Sequence, residues 1–188
     1  MDLLAGIPSV VYGFFGLVVV VPIIRDFGRA LKDAGLIKNA GDGNSILTTS
    51  LILAMMILPT IIGTTESAMR AVPAHYYEGA LALGATKERS IFKTVIPAAK
   101  SGIMSGIILS IGRAIGETMA VVMVAGNQAI MPKSITSGVR TLTSNIVMEM
   151  AYATGLHREA LIATAVVLFV FILIINICFS IVIRKKDK

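Results

Sequence analysis

The stretch Glu78-Gly-Ala-Leu-Ala-Leu-Gly84, followed twelve residues later by Ile96-Pro97, is a polar island between two apolar runs of membrane length. Pro73 is a natural first-turn residue, and residues 74–83 after it are helix-prone. Gly84 can turn the chain where a side chain would obstruct it. The sequence therefore predicts a short helix, ended by Gly84, in the segment between two membrane spans.

This short helix has a small apolar face. Tyr77, Ala80 and Leu81 fall at helical spacing, and Glu78 flanks them. Docking into a groove of another protein suits such a segment. The alternative is an amphipathic helix on the lipid surface, but such helices usually carry a basic polar face, which is almost missing here. We therefore expect a partner protein at this helix.

The composition is that of a membrane protein. A mean hydropathy of +0.83 and 55% hydrophobic residues exceed what a soluble domain of 188 residues needs for its core. Three runs without charge, 3–24, 46–65 and 161–183, are each long enough to cross about 30 Å of hydrocarbon as a helix. A fourth run, 95–125, has the length but carries charges. The prediction is one all-α domain, 1–188: a polytopic transmembrane helical bundle with four spans.

The charges and the single cysteine exclude several classes of protein. The net charge of +6 lies mainly in the segments between apolar runs, without an aromatic-basic surface, so no nucleic-acid partner is expected. Cys178 has no second cysteine with which to form an internal disulfide. The sequence lacks the Gly-Lys-Ser or Gly-Lys-Thr ending of a nucleotide-binding Walker A loop. We expect no metal site, no cofactor and no catalytic residue, with ATP bound by a separate subunit.

The basic C-terminal tail sets the predicted orientation. Short basic flanks stay in the cytoplasm, so the C-terminus is expected inside. Counting back places the segment 66–94 in the cytoplasm and the segments 25–45 and 126–160 outside. Asn44 or Ser45 can cap the helix that follows the first outer segment. The second outer segment either dips into the membrane or forms an external loop with a short helix.

Arg113 and Glu117 are the charges expected at depth. They are four residues apart, which on a continuous helix places them on one face. Ionisable groups in a membrane cost about 2.5 to 3.5 kcal/mol each and usually face a pathway or each other. A structural ion pair is therefore the alternative to a pathway site. Gly102, Gly106 and Ser110 form a stripe of small residues where another helix can approach closely.

The chemistry of this pair favours an anion, and phosphate in particular. The guanidinium of Arg113 has the planar fork that binds phosphate or sulfate at two points. The carboxylate of Glu117 would repel a fully ionised anion, but it can accept a hydrogen bond from the hydroxyl of hydrogen phosphate, which sulfate lacks. The sequence therefore predicts a phosphate pathway at Arg113 and Glu117.

The segment quoted first resembles the coupling loop of ABC importer permeases, which reads Glu-Ala-Ala, three residues, Gly, nine residues, then Ile-x-Leu-Pro. The matching positions are Glu78, Ala80, Gly84 and Pro97. The departures from the pattern are Gly79, Thr94 and Ile96. The resemblance implies the MetI-like, type I permease fold and an ATPase contact at Glu78, Gly79, Ala80 and Gly84.

A closer resemblance covers nearly the whole chain. The stretch from Leu4 to Gly16, the motif Gly112-Arg-Ala-Ile-Gly-Glu-Thr-Met-Ala-Val121, and Thr141-Leu-Thr with Glu149 resemble C-type permease subunits of Pst phosphate importers. The A-type subunit typically has Ala-Pro-Leu where this chain has Met119-Ala-Val121. The family normally has six transmembrane helices, and this chain is expected to begin near the third, as a fragment or shortened chain.

The resemblance implies a set of partners. These are an A-type permease subunit, two ATP-binding cassette subunits and an extracytoplasmic phosphate-binding protein, in a bacterial or archaeal plasma membrane. Arg113 and Glu117 then carry the family's pathway role, and the chain is a transporter subunit rather than an enzyme. Two alternatives are a permease for sulfate or molybdate and a membrane scaffold that transports nothing.

Overall fold

The computed structural model describes residues 6–35 and 40–186, with side-chain surroundings up to residue 181. The helices, in chain order, are α1 (Ser9–Asp33), α2 (Ile46–Arg70), α3 (Ala74–Ala82), α4 (Lys87–Ala98), α5 (Lys100–Ile115), α6 (Met119–Val124), α7 (Leu142–Glu149) and α8 (Gly155–Lys186). Within the described residues, β-pairing is limited to one isolated bridge between Gly126 and Val139. The predicted all-α class is confirmed.

Three of these helices are long and apolar enough to cross a membrane. They are α1, α2 and the Gly155–Ile181 part of α8. In α8, only 6% of the most apolar stretch is buried inside the protein, as expected for a surface that faces lipid. Helices α4 and α5 pass the same test together but meet at an angle of 68°. The described residues therefore offer three spans, or four if the bent pair crosses as one.

Helix α1 extends further than the apolar run that predicts it. The predicted start near residue 3 lies outside the described residues, and the helix begins at Ser9 after Pro8. It continues to Asp33, so the prediction that residues 25–33 belong to an outer loop is wrong. The Asp26 carboxylate lies 3.5 Å from the Arg25 guanidinium and 3.8 Å from that of Arg29, and the second pair has the three-residue spacing that supports a helix.

Two prolines are each preceded by a short π-helical turn. The turn Gly16–Val20 lies just before Pro22 in α1, and the turn Ile91–Val95 lies just before Pro97 in α4. Proline has no amide hydrogen for the carbonyl four residues earlier, and its ring crowds that carbonyl, so the preceding turn widens. The bend between α4 and α5 follows two residues after Pro97.

The predicted third span, 95–125, is not one continuous helix. It begins inside α4, bends at Ala99, follows α5 to Ile115 and breaks again before α6. Ala99 and Gly116 have ψ near zero, which directs the backbone out of the helical path. The prediction from hydropathy was wrong about continuity because an apolar run of this length does not reveal where a helix breaks.

Helices α2 and α5 pack closely along the predicted stripe of small residues. A Cβ atom added to Gly102 would lie 2.7 Å from the Cβ of Ala68, and one added to Gly106 would overlap the Thr64 side chain. Small residues let two helices approach in this way inside a membrane. The expectation that another helix approaches this stripe is confirmed, and the helix is α2.

We expect Gly106→Val to separate α2 from α5 and to lower the thermal midpoint of the purified protein. Overpacking of this kind costs about 1 to 3 kcal/mol. Gly63→Val is the matched control, since Gly63 is also in a membrane helix but has no atom within 4 Å of an added Cβ. Equal midpoints for the two variants would contradict the close contact.

A small core joins α1, α2 and α6. Val21, Ile52, Ala120 and Val124 are buried together at the centre of this contact. Gly16 allows the close approach, because its added Cβ would lie 2.9 Å from side-chain atoms of both Ile52 and Val124. The short helix α6 is thereby fixed against two spans.

The two predicted outer segments meet above this core. Ser45 caps α2 by accepting a hydrogen bond from the Thr48 amide at 3.3 Å, as predicted for Asn44 or Ser45. The second segment covers the same helix end, where the Ile46 and Leu47 amides donate to carbonyls of Ser137 and Ile135. The orphan amides at the start of α2 are therefore satisfied partly by a loop about 90 residues later in the chain.

Candidate functional site

Arg113 lies in the last turn of α5 with an exposed side chain. Within residues 6–35 and 40–181, whose side chains the structure describes, no hydrogen bond or ion pair involves its guanidinium, although four other arginines, Arg25, Arg29, Arg70 and Arg140, have carboxylate partners. A guanidinium without a protein partner keeps all five of its N–H donors for another group.

Glu117 lies beyond the end of α5, in the break before α6. One carboxylate oxygen accepts a hydrogen bond from the Ala120 amide at 3.2 Å, and the Glu117 carbonyl accepts one from the Thr143 hydroxyl at 3.3 Å. The half-buried side chain is thus held at the first turn of α6. The expectation that Arg113 and Glu117 share one helical face is wrong, because the helix ends at Ile115.

The alternative of a structural ion pair is not seen either. The described residues contain no contact of 4 Å or less between the two charged groups, while such contacts are present elsewhere in the chain. The structure brings Arg113 and Glu117 to the same helix break but leaves them unpaired. Their closeness in sequence therefore reflects a shared location rather than mutual neutralisation.

The break between α5 and α6 lies beside the apolar part of the neighbouring span, α8. A Cβ added to Gly112 would lie 3.1 Å from the amide oxygen of Asn176 in α8. At about 1.5 Å per residue, Asn176 is roughly 10 Å from the basic end of the apolar run 161–183 and about 22 Å from its other end. Arg113, one residue after Gly112, therefore lies at the level of the apolar part of α8.

A polar network that the sequence analysis missed fixes α7 beside this break. The Arg140 guanidinium lies 3.0 Å from a Glu149 carboxylate oxygen and also donates to the Asn127 carbonyl at 3.1 Å and the Asn145 side chain at 3.4 Å. The other Glu149 oxygen is 3.7 Å from the His157 ring at the start of α8. Asn145 and Glu149 are four residues apart on α7, a spacing that indicated one polar helix face.

We expect Glu149→Ala to lower the thermal midpoint, because it removes the acceptor shared by Arg140 and His157. Losing an acceptor for a partly buried charged donor costs about 1 to 3 kcal/mol. Glu159→Ala is the control, since Glu159 is an exposed acid on α8 without a described partner. A midpoint for Glu149→Ala as high as that for Glu159→Ala would show that the network adds nothing.

The predicted coupling segment forms α3 as expected from the sequence. The helix begins after Pro73 and ends at Ala82 with Leu83 as its C-cap, and Gly84 follows with φ of 84°, a left-handed conformation that favours glycine. Glu78, Gly79 and Gly84 are exposed, and neither glycine has an atom within 4 Å of an added Cβ. The segment therefore has an exposed surface, close to the start of α4.

The docking face expected on α3 points towards the chain itself. Tyr77, Ala80 and Leu81 are half-buried, because α3 packs on the π-helical turn of α4 through this face. The opposite face is free, and Leu83 at its end is 91% exposed. The apolar stripe therefore packs α3 against the rest of the chain, and Leu83 is the exposed apolar group that sequence reasoning missed.

A polar cavity of about 840 Å³ opens where the two outer segments meet. Its lining includes the basic residues Arg29, Lys32 and Lys133 and the acidic residues Asp33 and Asp42. Mixed charges on an open concave surface suit a protein partner with complementary charges rather than an apolar ligand.

The whole chain matches one protein family. Residues 1–188 fit the family described as "Binding-protein-dependent transport system inner membrane component". The chain belongs to this family of membrane permease components, which agrees with its all-α fold and its apolar helices.

Curated relatives point to a more specific group. The chain is 40% identical over 182 residues to the probable ABC transporter permease protein YqgH of Bacillus subtilis, covering 94% of this chain and 56% of the relative. It is 34% identical over 197 residues to the phosphate transport system permease protein PstC of Pasteurella multocida, covering 100% of this chain and 62% of the relative. It is 36% identical over 185 residues to PstC of Mesorhizobium japonicum, covering 93% of this chain and 57% of the relative.

The chain thus spans little more than half the length of these relatives. No solved structure matches it significantly.

Proposed function

We propose that this chain is a membrane-spanning permease subunit of an ATP-driven importer of inorganic phosphate. Family membership supports the transport role, and the names of relatives such as PstC support the substrate. The single observation that carries the proposal is Arg113: an arginine without a described partner, at the level of apolar helix, is costly unless it meets an anion.

Glu117 gives this site its selectivity in our proposal. One of its carboxylate oxygens bonds to the Ala120 amide, and the other has no partner among the described residues. That second oxygen can accept a hydrogen bond from the hydroxyl of hydrogen phosphate while the Arg113 guanidinium donates to the other phosphate oxygens. Sulfate has no hydroxyl to donate, so phosphate is the better match.

The partners follow from what the chain lacks and what it exposes. It has no Walker A motif, so two ATP-binding cassette subunits are proposed to dock at α3, and ATP is their cofactor. An A-type permease subunit completes the pathway, and a phosphate-binding protein docks at the outer cavity beside Arg29 and Lys133. The C-terminus then lies in the cytoplasm, in agreement with its basic residues.

Uptake of labelled phosphate by the fully assembled transporter, compared with assemblies from which this chain is omitted, tests the proposal. Excess unlabelled phosphate should abolish uptake, whereas sulfate and molybdate at the same concentration should leave it nearly unchanged. Stronger competition by sulfate or molybdate would assign the chain to another oxyanion. Phosphate-stimulated ATP hydrolysis that does not require this chain would favour a scaffold role.

A further inference from the structure

One face of α5 is left uncovered by the other residues that the structure describes. Ser101, Ser105, Leu109 and Arg113 repeat every four residues, and all four side chains are exposed, Leu109 by 66%. Residues three or four apart share a helix face. Neighbouring faces of α5 are occupied, by α2 at the small-residue stripe and by α8 at Gly112. The uncovered line therefore runs along α5 between two packed neighbours.

Lipid is a poor neighbour for this face. Arg113 would cost about 2.5 to 3.5 kcal/mol against hydrocarbon. Ser105 donates to the Ser101 carbonyl at 3.0 Å, so its proton is satisfied within the helix, but its oxygen can still accept. A guanidinium and two hydroxyls in one line indicate a polar environment along the helix.

Leu109 interrupts this polar line. Four residues of helix rise about 6 Å, so Leu109 lies one step of about 6 Å from Arg113, and Ser105 lies one step further. Leu109 is the one large apolar side chain among the four. An apolar constriction in a narrow polar path stops ions by excluding water, without any tight seal of side chains.

We propose that the exposed face of α5 is one wall of the anion path on the cytoplasmic side of Arg113, and that Leu109 is the apolar barrier in that path. This inference rests on the proposed transport function but assigns a part that the function does not specify. The anion leaves Arg113, passes Leu109 only when the opposing subunit moves away, and then follows the hydroxyls of Ser105 and Ser101 to the cytoplasm.

Cysteine accessibility in the assembled, nucleotide-free transporter tests the wall. Cys178→Ala removes the single native thiol. A membrane-impermeant, negatively charged methanethiosulfonate added from the cytoplasmic side should modify Ser105→Cys roughly tenfold faster, or more, than Ser110→Cys, which replaces a buried residue of the same helix. Equal rates for the two positions would overturn the assignment of this face to the path.

A second cysteine tests the barrier. Gly116→Cys lies beyond Leu109, and the site accepts a side chain because its added Cβ meets nothing closer than 3.8 Å. Cytoplasmic reagent should modify it slowly, Leu109→Ala should accelerate this roughly tenfold or more, and Leu109→Phe should slow it. Ile107→Ala, a truncation of the same size on another face of α5, should leave the rate unchanged. If the modification rate of Gly116→Cys did not change with the residue at position 109, the assignment of Leu109 as the barrier would be overturned.

These measurements need no phosphate, so the two proposals fail separately. If the cysteine modification rates were as expected but the transporter did not take up phosphate, the path along α5 would be supported and phosphate would be contradicted as its substrate. Normal phosphate uptake, together with a modification rate of Gly116→Cys that does not depend on residue 109, would support phosphate as the substrate and contradict the barrier at Leu109.

Discussion

Arg113→Gln is expected to abolish phosphate uptake by the assembled transporter while leaving the chain in the membrane. The guanidinium has no protein partner among the described residues, so its removal leaves no charge unpaired within the chain. What is lost is a charge-assisted contact with a dehydrated anion, worth roughly 2 to 5 kcal/mol, or about 30-fold to several thousand-fold in rate. Labelled phosphate uptake, normalised to membrane-inserted protein, measures the effect.

Two companion variants separate charge from geometry. Arg113→Lys keeps the charge but loses the planar two-point fork, so partial uptake is expected. Glu117→Gln keeps an oxygen that can accept from the Ala120 amide, so the helix break should survive while discrimination against sulfate weakens.

The double variant Arg113→Gln with Glu117→Gln distinguishes a pathway arginine from one that only balances a carboxylate. If Arg113 served only to neutralise Glu117, removing both charges would restore transport. We expect the double variant to insert normally and to remain inactive. Recovery to near the wild-type rate would refute the role of Arg113 in the pathway.

The parts of this structure that local sequence determines were predictable. Pro73 starts α3 and Gly84 ends it, because one residue fixes φ and the other permits a left-handed turn. The Ser45 cap and the stripe at Gly102 and Gly106 are likewise properties of short segments, and hydropathy located α1, α2 and α8.

The parts that depend on distant contacts were not predictable. The break at Glu117 involves the Thr143 hydroxyl, 26 residues later. The hydrophobic periodicity within 95–125 gives no sign of that hydrogen bond, so a continuous span was expected. The direction in which the apolar face of α3 points could not be predicted for the same reason. The sequence shows the apolar stripe of Tyr77, Ala80 and Leu81, but contacts with α4 decide whether this stripe faces the permease or a partner.

The free face of α3 leads to the second large effect, which is loss of the ATPase. Leu83→Asp is expected to lower co-purification of the ATP-binding subunits by at least about tenfold. Burying a leucine side chain contributes about 1.5 to 3 kcal/mol, and burying an unpaired carboxylate in its place adds a further penalty. Because Leu83 is 91% exposed in the chain by itself, the substitution should leave the permease folded.

Glu78→Lys changes the charge on the same exposed helix and should act in the same direction, by disturbing electrostatic complementarity with the ATPase. Each variant has a matched control. Glu88→Lys makes the same charge change at an exposed acid on α4, and Met131→Asp places the same carboxylate at a methionine that is 88% exposed in the second outer segment. Co-purified ATPase, quantified per folded permease, is the measurement. If Leu83→Asp retained as much ATPase as Met131→Asp and supported normal uptake, the ATPase would have to dock elsewhere, and the exposed end of α3 would lose its role in coupling.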